Sequence, residues 1–270
     1  MFADEIAIRE ISAIYLYGRE GWSLLFSLNS QRVYNIGNFM KRVVMITGST
    51  RGIGLATAAK FLINGDRIVI FCRHREHVLK AKEHLVSLGT SGNVLCLTGD
   101  VRKEQDVKKI VKQCLRHFGQ IDVLINNAGI AAYKPVEETG EKEWDDILDT
   151  NLKGTFLFIR EVVPVMKKQG SGIIINISSA LGEEGEANFS AYCASKFGVI
   201  GLTQVVADET KESGLRVYAV LPWAVNTTLM SGSSLVLDPS ELLTPEYVAG
   251  RIFEAARGKR KSGTLFKVYS

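Results

Sequence analysis

From Lys41 onward, short runs of consecutive apolar residues alternate with longer stretches in which apolar residues recur every three to four positions. The first pattern marks strands buried on both faces, and the second marks amphipathic helices. Strands are therefore predicted at Lys41–Thr47 (VVMIT), Arg67–Cys72 (IVIF at its centre), Asn93–Thr98, Ile121–Ile125, Gly172–Ser178, Arg216–Leu221 and Leu265–Tyr269. Helices are predicted at Gly52–Asn64, Glu76–Leu88, Glu104–Phe118, Trp144–Lys168 and Tyr192–Glu212. Pro164 is expected to kink the fourth of these or to mark a boundary in it. A last helix opens at Thr244-Pro245, with Thr as cap and Pro in the first turn, and ends at Gly258.

Strands that alternate with helices predict a single-domain, doubly wound α/β sandwich, a mostly parallel sheet with helices on both faces. Ligands in such folds sit at the C-terminal ends of the strands. Residues 1–39 do not share the pattern and form an atypical extension to a domain spanning 40–270. Ile6–Tyr17 suits a short apolar helix, Gly21–Phe26 is aromatic, and Asn29, Ser30, Asn35, Gly37 and Asn38 are turn formers. An extra layer, an oligomer arm, a membrane-surface helix and sequence upstream of a start at Met40 all remain open.

Composition adds limits. A chain 46% hydrophobic and 23% charged can bury one substantial core. The net charge of +4 is thinly spread, and its densest basic run is Arg257-Gly258-Lys259-Arg260-Lys261. That run suits either an acidic partner or a solvated turn where cations meet a helix C-terminus. Cys72, Cys96, Cys114 and Cys193 form no CxxC pair, and Cys72, Cys96 and Cys193 read as small buried hydrophobes. His74, His77 and His84 fall in a charged helical segment and read as surface residues, so no metal site is expected. No run of eighteen apolar residues is present, the MFADE start does not suggest a secretory signal, and a cytoplasmic protein without an integral membrane segment is expected.

The first strand runs into Thr47-Gly48-Ser49-Thr50-Arg51-Gly52-Ile53-Gly54 and then a helix. Gly48 suits a tight turn, Gly52 a close approach to a pyrophosphate, and Gly54 close packing of helix and sheet. Free amides at the helix start suit phosphates. No Lys-Ser/Thr pair ends the loop, which excludes a triphosphatase loop. The second strand ends in Cys72-Arg73 rather than in a carboxylate for a ribose 2′-hydroxyl. Arg51 and Arg73 together suit a 2′-phosphate and favour NADP(H) over NAD(H); the alternative is that both face water.

Asn126-Asn127-Ala128-Gly129 ends the fourth strand, Asn151 lies in the long helix, Ser178-Ser179 ends the fifth strand, and Tyr192 and Lys196 are one helical turn apart. Together with the glycine loop, this ordered set resembles the short-chain dehydrogenase/reductase (SDR) family over about residues 41 to 270. The resemblance implies a Rossmann-like fold and a metal-free oxidoreductase that reduces an aldehyde, ketone or 3-oxoacyl compound. It implies Tyr192 as general acid in reduction, with Lys196 and the nicotinamide favouring its phenolate and Lys196 bonding the ribose hydroxyls. It implies Ser179 as the donor to the substrate oxygen, and Asn151 as the holder of a water linking Lys196 to solvent. It also implies that Asp100 and Val101 lie beside the adenine, that Asn127, Ala128 and Gly129 support the cofactor, and that Pro222, Val225 and Thr227 lie near the carboxamide. Asp122 and Asp149 are expected to cap or to face water.

The chain departs from the family at Trp223, where a glycine is usual. A positive φ there would strain an indole-bearing residue, so either the loop shifts or the ring lines the pocket. Substrate contacts are expected from Ala131–Val136, Gly182–Phe189 and a mobile loop at about 223–240. Phe189, Trp223, Leu229, Met230 and Leu235 supply apolar surface, and Glu183, Glu184 and Glu186 disfavour anions if they line the entrance. The family resemblance implies a homodimer or homotetramer through the two long helices. No specific nucleic-acid partner is expected. An NAD-dependent alcohol dehydrogenase and a dinucleotide-binding regulator with little turnover are the alternatives.

Overall fold

A computed structural model describes residues 41–88, 91–227, 229 and 242–269. The expectations for residues 1–39, for Met230 and Leu235, and for most of the 223–240 loop lie outside the described residues. Seven strands pair side by side, all parallel, in the order β3-β2-β1-β4-β5-β6-β7. They are β1 (Val43–Thr47), β2 (Arg67–Cys72), β3 (Val94–Thr98), β4 (Val123–Asn126), β5 (Gly172–Ile177), β6 (Leu215–Pro222) and β7 (Leu265–Val268). The helices are α1 (Gly52–Ile63), α2 (Arg75–Val86), α3 (Glu104–Phe118), α4 (Glu141–Leu148), α5 (Gly154–Gln169), α6 (Ser190–Glu209) and α7 (Pro245–Arg257). This is a Rossmann-like sandwich.

The continuous apolar runs follow from cover on both faces. In β1, Val44 and Ile46 join one core with Phe61 and Leu62 of α1 and Val248 and Ile252 of α7. Their neighbours Val43 and Met45 face the other core, with Val107 and Ile110 of α3 and Phe158 and Val162 of α5. A strand with period-two geometry and two dry faces needs an apolar residue at every position. The order of strands reverses direction between β1 and β4, and a crevice opens at such a switch point.

Local signals set the helix ends. Thr244 accepts a hydrogen bond from Tyr247 N with Pro245 in the first turn, as expected. In α3, Glu104 and Asp106 occupy the first turn and Arg116 and His117 the last, which complements the helix dipole.

The single helix predicted from Trp144 to Lys168 is divided. A π turn at Asp149–Lys153 separates α4 from α5, and α5 continues through Pro164 without ending there. Pro164 and Arg160 both lie on the exposed face, so the Arg160 carbonyl left without an amide partner can be met by water. The π turn carries Asn151 inward until it is buried. The cysteine reading also changes: Cys114 and Cys193 are buried, while Cys72 and Cys96 are only half-buried, because they lie near the sheet edge formed by β3.

One buried polar chain crosses this core. Asn126 Nδ2 donates to Asn176 Oδ1 (2.8 Å), Asn176 Nδ2 donates to Thr203 Oγ1 (2.9 Å), and Thr203 Oγ1 donates to the Val199 carbonyl (2.7 Å). It ties β4 to β5 and β5 to α6, the three elements that end at the crevice. Replacing its middle member removes the acceptor of the buried Asn126 Nδ2 and the donor to Thr203 Oγ1. Asn176→Leu is therefore expected to lower stability by about 2–4 kcal/mol, read as a lower urea midpoint at unchanged slope.

Candidate active site

The crevice is built around the end of β1. Thr47 Oγ1 accepts from Asn127 N (2.9 Å) and Ala128 N (2.8 Å), while Asn127 Nδ2 donates to the carbonyls of Thr47 (2.9 Å) and Gly48 (3.1 Å). Gly48 turns with φ +61°, and a Cβ there would lie 2.8 Å from Ala128 Cα. A Cβ on Gly54 would collide with the Gly48 carbonyl and Asn127 Nδ2. The Gly54 hydrogen thus protects the loop-to-loop lock itself, a more specific role than helix–sheet packing. Arg51, at the cap position of α1, offers no side-chain acceptor to the helix, so the first-turn amides are left for a ligand. Ser49 stands apart from the crevice: it is fully buried, and its Oγ accepts from Phe71 N.

A cleft of about 670 Å³ runs from this loop across the strand ends, within the range of small-molecule and cofactor sites. Gly48, Thr50, Arg51, Gly52 and Ile53 line it on one side, and Asn127, Ala128 and Gly129 on the other.

At the β2 end, Arg73 lines the wall together with His74 and His77, whose rings stand 5.3 Å apart. The histidines lie on the surface, as expected. They are exposed, but His74 stands before the first turn of α2 and His77 within it, which turns both toward the cleft. Asp100 and Val101 line the floor. The Asp100 carboxylate is held by Arg102 through Nε (3.0 Å) and Nη2 (2.7 Å), and Arg102 Nη1 reaches Asp146 on α4 (2.6 Å). Burial works against ionisation of Asp100, but the Arg102 bonds outweigh it and hold the carboxyl below its usual range.

At the other end, Ser179, Tyr192 and Lys196 come together on the cleft wall. Ser179 Oγ accepts from Leu181 N (3.2 Å), which keeps its own proton free to donate. Lys196 Nζ donates to the Ile177 carbonyl (2.8 Å) and lies 5.5 Å from the centre of the Tyr192 ring. Burial dominates both titrating groups. It pushes the Tyr192 phenol up to about 12, against a smaller lowering by the Ser179 hydrogen bond, and pushes the Lys196 ammonium down to about 8. Burial thus favours the neutral phenol of Tyr192 in the protein alone.

Asn151 is buried behind this group and does not line the cleft, although its neighbour Thr150 does. Its Oδ1 accepts from Ile130 N (2.9 Å), and its Nδ2 donates to the Ile130 carbonyl (2.9 Å) and to Ser195 Oγ (3.0 Å). Ser195 Oγ in turn donates to the Tyr192 carbonyl (2.7 Å). The Asn151 carboxamide joins the π turn to the β4 loop and to the turn of α6 that carries Tyr192. Asp122 and Asp149 are structural, the first accepting from Val43 N (2.6 Å) and the second from Lys153 (3.2 Å).

Pro222, Trp223, Val225 and Thr227 line the far wall. Trp223 carries no positive φ; Asn188 alone does among the described non-glycine residues. Trp223 N donates to the Val268 carbonyl (3.0 Å), and its side chain is part of the cleft lining, so the feared strain is absent. Ala131, Phe189 and Leu229 line the cleft beside Tyr192. The basic run at 257–261 lies at the other end of the sheet, where Gly263 N bonds Val217 at the start of β6 and Tyr218 Oη bonds the Arg260 carbonyl. Among the described residues no group of three His, Cys, Asp or Glu is placed to hold a metal ion.

Ile130, Thr150 and Leu181 also line the cleft and carried no signal in the sequence. They are apolar or small residues brought in by loops and the π turn, and nothing in their spacing marks them.

Comparison with known proteins agrees with this architecture. A family model described as short chain dehydrogenase matches residues 42–235. Levodione reductase of Leifsonia aquatica is 34% identical over 223 residues, 82% of this chain and 82% of that protein. A crystal structure of levodione reductase superposes with a TM-score of 0.80 at 30% identity, covering 84% of this chain and 96% of the other. A 3-ketoacyl-(acyl-carrier-protein) reductase of Brucella melitensis complexed with NADH gives 0.79 at 27% identity, covering 84% and 96%. An actinorhodin polyketide ketoreductase with NADPH gives 0.77 at 27% identity, covering 85% and 96%.

Lys196 gives a pH test. Its folded pKa lies near 8, below the ordinary 10.5 of lysine. Below both values the burial penalty is present in full. Between them the unfolded chain holds one more proton, so stability rises with pH. Lys196→Met should be more stable than the parent at pH 7.5, with the gap shrinking as pH rises through 8 toward 10, measured by urea unfolding. A gap independent of pH would refute a buried ammonium.

Proposed function

The chain belongs to the short-chain dehydrogenase family, and from that premise we propose that it is an NADP(H)-dependent reductase converting a carbonyl compound into an alcohol. One observation carries the reading: Ser179, Tyr192 and Lys196 share one wall of a cleft that begins at the glycine loop. Relatives named as levodione, 3-ketoacyl and polyketide ketoreductases support carbonyl reduction.

The residues present fit a nicotinamide dinucleotide. Gly48 and Gly52 turn with φ +61° and +51°, the first-turn amides of α1 are open to a ligand, and a buried lysine stands in the wall at the far end. When bound, the reduced nicotinamide supplies a hydride to the carbonyl carbon. Ser179 donates a hydrogen bond to the carbonyl oxygen and fixes its position. Tyr192 gives its phenolic proton to that oxygen as the alcohol forms, so hydride and proton together balance the reduction. A phenol is a poor acid at neutral pH, and the desolvated Tyr192 a poorer one. The ammonium of Lys196, 5.5 Å from the ring, lowers the cost of the phenolate that forms. Lys196 also offers donors to ribose hydroxyls, and Asn151 acts as a positioning residue through Ser195.

The preference for NADP(H) rests on Arg51 and Arg73 in the cleft wall and on the absence of a carboxylate at the end of β2. The exposed apolar side chains Trp144, Phe156, Phe197 and Val205 on α4, α5 and α6 support a homodimer or homotetramer through these helices. The four free thiols suit a reducing compartment such as the cytoplasm, and no helix among the described residues is long and apolar enough to cross a membrane.

Two measurements test the proposal. Tyr192→Phe should lower turnover by about 10²- to 10⁴-fold while NADPH binding, followed by nicotinamide fluorescence, changes little. The double substitution Arg51→Ala, Arg73→Ala should weaken NADPH about tenfold or more and NADH far less. Equal weakening of both would reject the 2′-phosphate reading, and binding of neither dinucleotide by the parent would reject the reductase.

A further inference from the structure

The two ends of the cleft have different electrostatic character, and this bears on the substrate. Arg51, Arg73, His74 and His77 gather at the β2 end. Around Tyr192 the wall is apolar: Phe189 packs 5.1 Å from Tyr133 and 5.9 Å from Tyr192 by ring centres, with Ala131, Leu181 and Leu229 beside them.

Among the described residues, two loops frame this end. The first, 129–137, contributes one cation, Lys134, and Lys134 is bonded to Glu143 at 3.1 Å and is not part of the lining. The second, 179–190, holds Glu183, Glu184 and Glu186 and no Lys, Arg or His. Glu183 is paired with Lys267 (2.8 Å), whereas Glu186 lines the cleft. Loops one and two are pinned together, Lys134 N donating to the Asn188 carbonyl (2.8 Å), so the Glu186 segment is held at the entrance. Among the described residues, Lys196 is the single cation of the lining at this end, and it is buried against the Ile177 carbonyl.

We propose that the substrate is an uncharged, largely apolar aldehyde or ketone, and that Glu186 is a specificity-determining residue that disfavours carboxylate- or phosphate-bearing carbonyl compounds, including thioesters on phosphorylated carriers. An anionic substrate would lose its hydration shell against aromatic rings with no cation to replace it, while approaching a carboxylate. A neutral ring or chain gains apolar burial against Phe189 and Leu229. This narrows the carbonyl reductase reading above and rests on it.

The test compares 4-methylcyclohexanone with 4-oxocyclohexanecarboxylate, two ketones of one ring size that differ in charge, using the full chain and NADPH. The neutral ketone is expected to show about tenfold or greater kcat/KM at low salt, with the ratio shrinking as ionic strength rises. Glu186→Lys is expected to shift the ratio toward the carboxylate by about three- to tenfold. Equal or better use of the carboxylate by the parent, or an unchanged ratio in the variant, overturns the inference. Binding of each ketone to the protein–NADPH complex, read from nicotinamide fluorescence, gives the same ranking without turnover. If the neutral ketone binds better but neither is reduced, the charge discrimination assigned to Glu186 holds and these ketones are not the substrate; equal binding overturns the inference, and only a parent that binds neither dinucleotide overturns the reductase reading.

Discussion

Everything at the cleft depends on the lock between the end of β1 and the loop after β4. A single hydroxyl, Thr47 Oγ1, receives two backbone amides, and a single carboxamide, Asn127, returns a hydrogen to two backbone carbonyls. These bonds satisfy groups that the parallel ladder abandons where the two strands diverge. They also set the width of the crevice at the switch point. Gly54 serves the lock by leaving space beside the Gly48 carbonyl, and Ser49 serves it by tying the same loop to β2 through Phe71. The glycine loop is therefore a structural joint before it is a binding surface.

Behind the opposite wall a second joint does similar work. Asn151 binds both backbone groups of Ile130 and reaches Ser195, which holds the Tyr192 carbonyl. The π turn makes this possible by carrying Asn151 inward between the half-buried Thr150 and Leu152. The buried Asn126–Asn176–Thr203 chain anchors β4, β5 and α6 from below. Such buried polar contacts, with only Asn126 Oδ1 left unpaired in this chain of bonds, favour one arrangement of the elements around the cleft.

Burial then sets the proton affinities of the residues proposed to react. Tyr192 and Lys196 sit four residues apart on one helix, both nearly removed from water, and desolvation moves each toward its neutral form. A neutral phenol is the form that can give a proton, and a lysine titrating near 8 can exchange one at physiological pH. The same cleft is cationic at one end and apolar with a carboxylate at the other, so a polyanionic dinucleotide and a neutral carbonyl compound would each meet a matching wall.

The order and type of the elements were legible from Lys41 onward, because burial on both faces of a parallel sheet imposes an apolar residue at every strand position. The α3 limits and the Thr244-Pro245 start were readable for the same kind of local reason, a cap or a charge at a helix end. The sequence also displayed the glycine loop, Ser179, Tyr192 and Lys196, since their chemistry needs those residue types at set spacings. Tertiary structure alone decided the rest. A π turn divides the helix predicted across Asn151, and Pro164 is tolerated inside α5 because the carbonyl it frees faces solvent. Trp223 is unstrained because the backbone there avoids positive φ and bonds to β7. His74, His77 and Glu186 join the cleft through the packing of α2 and the pinning of two loops. Spacing along the chain records which residues share an element. It does not record which way a loop turns or which water a side chain loses, and those two things set the cleft's shape, its charge and its proton affinities.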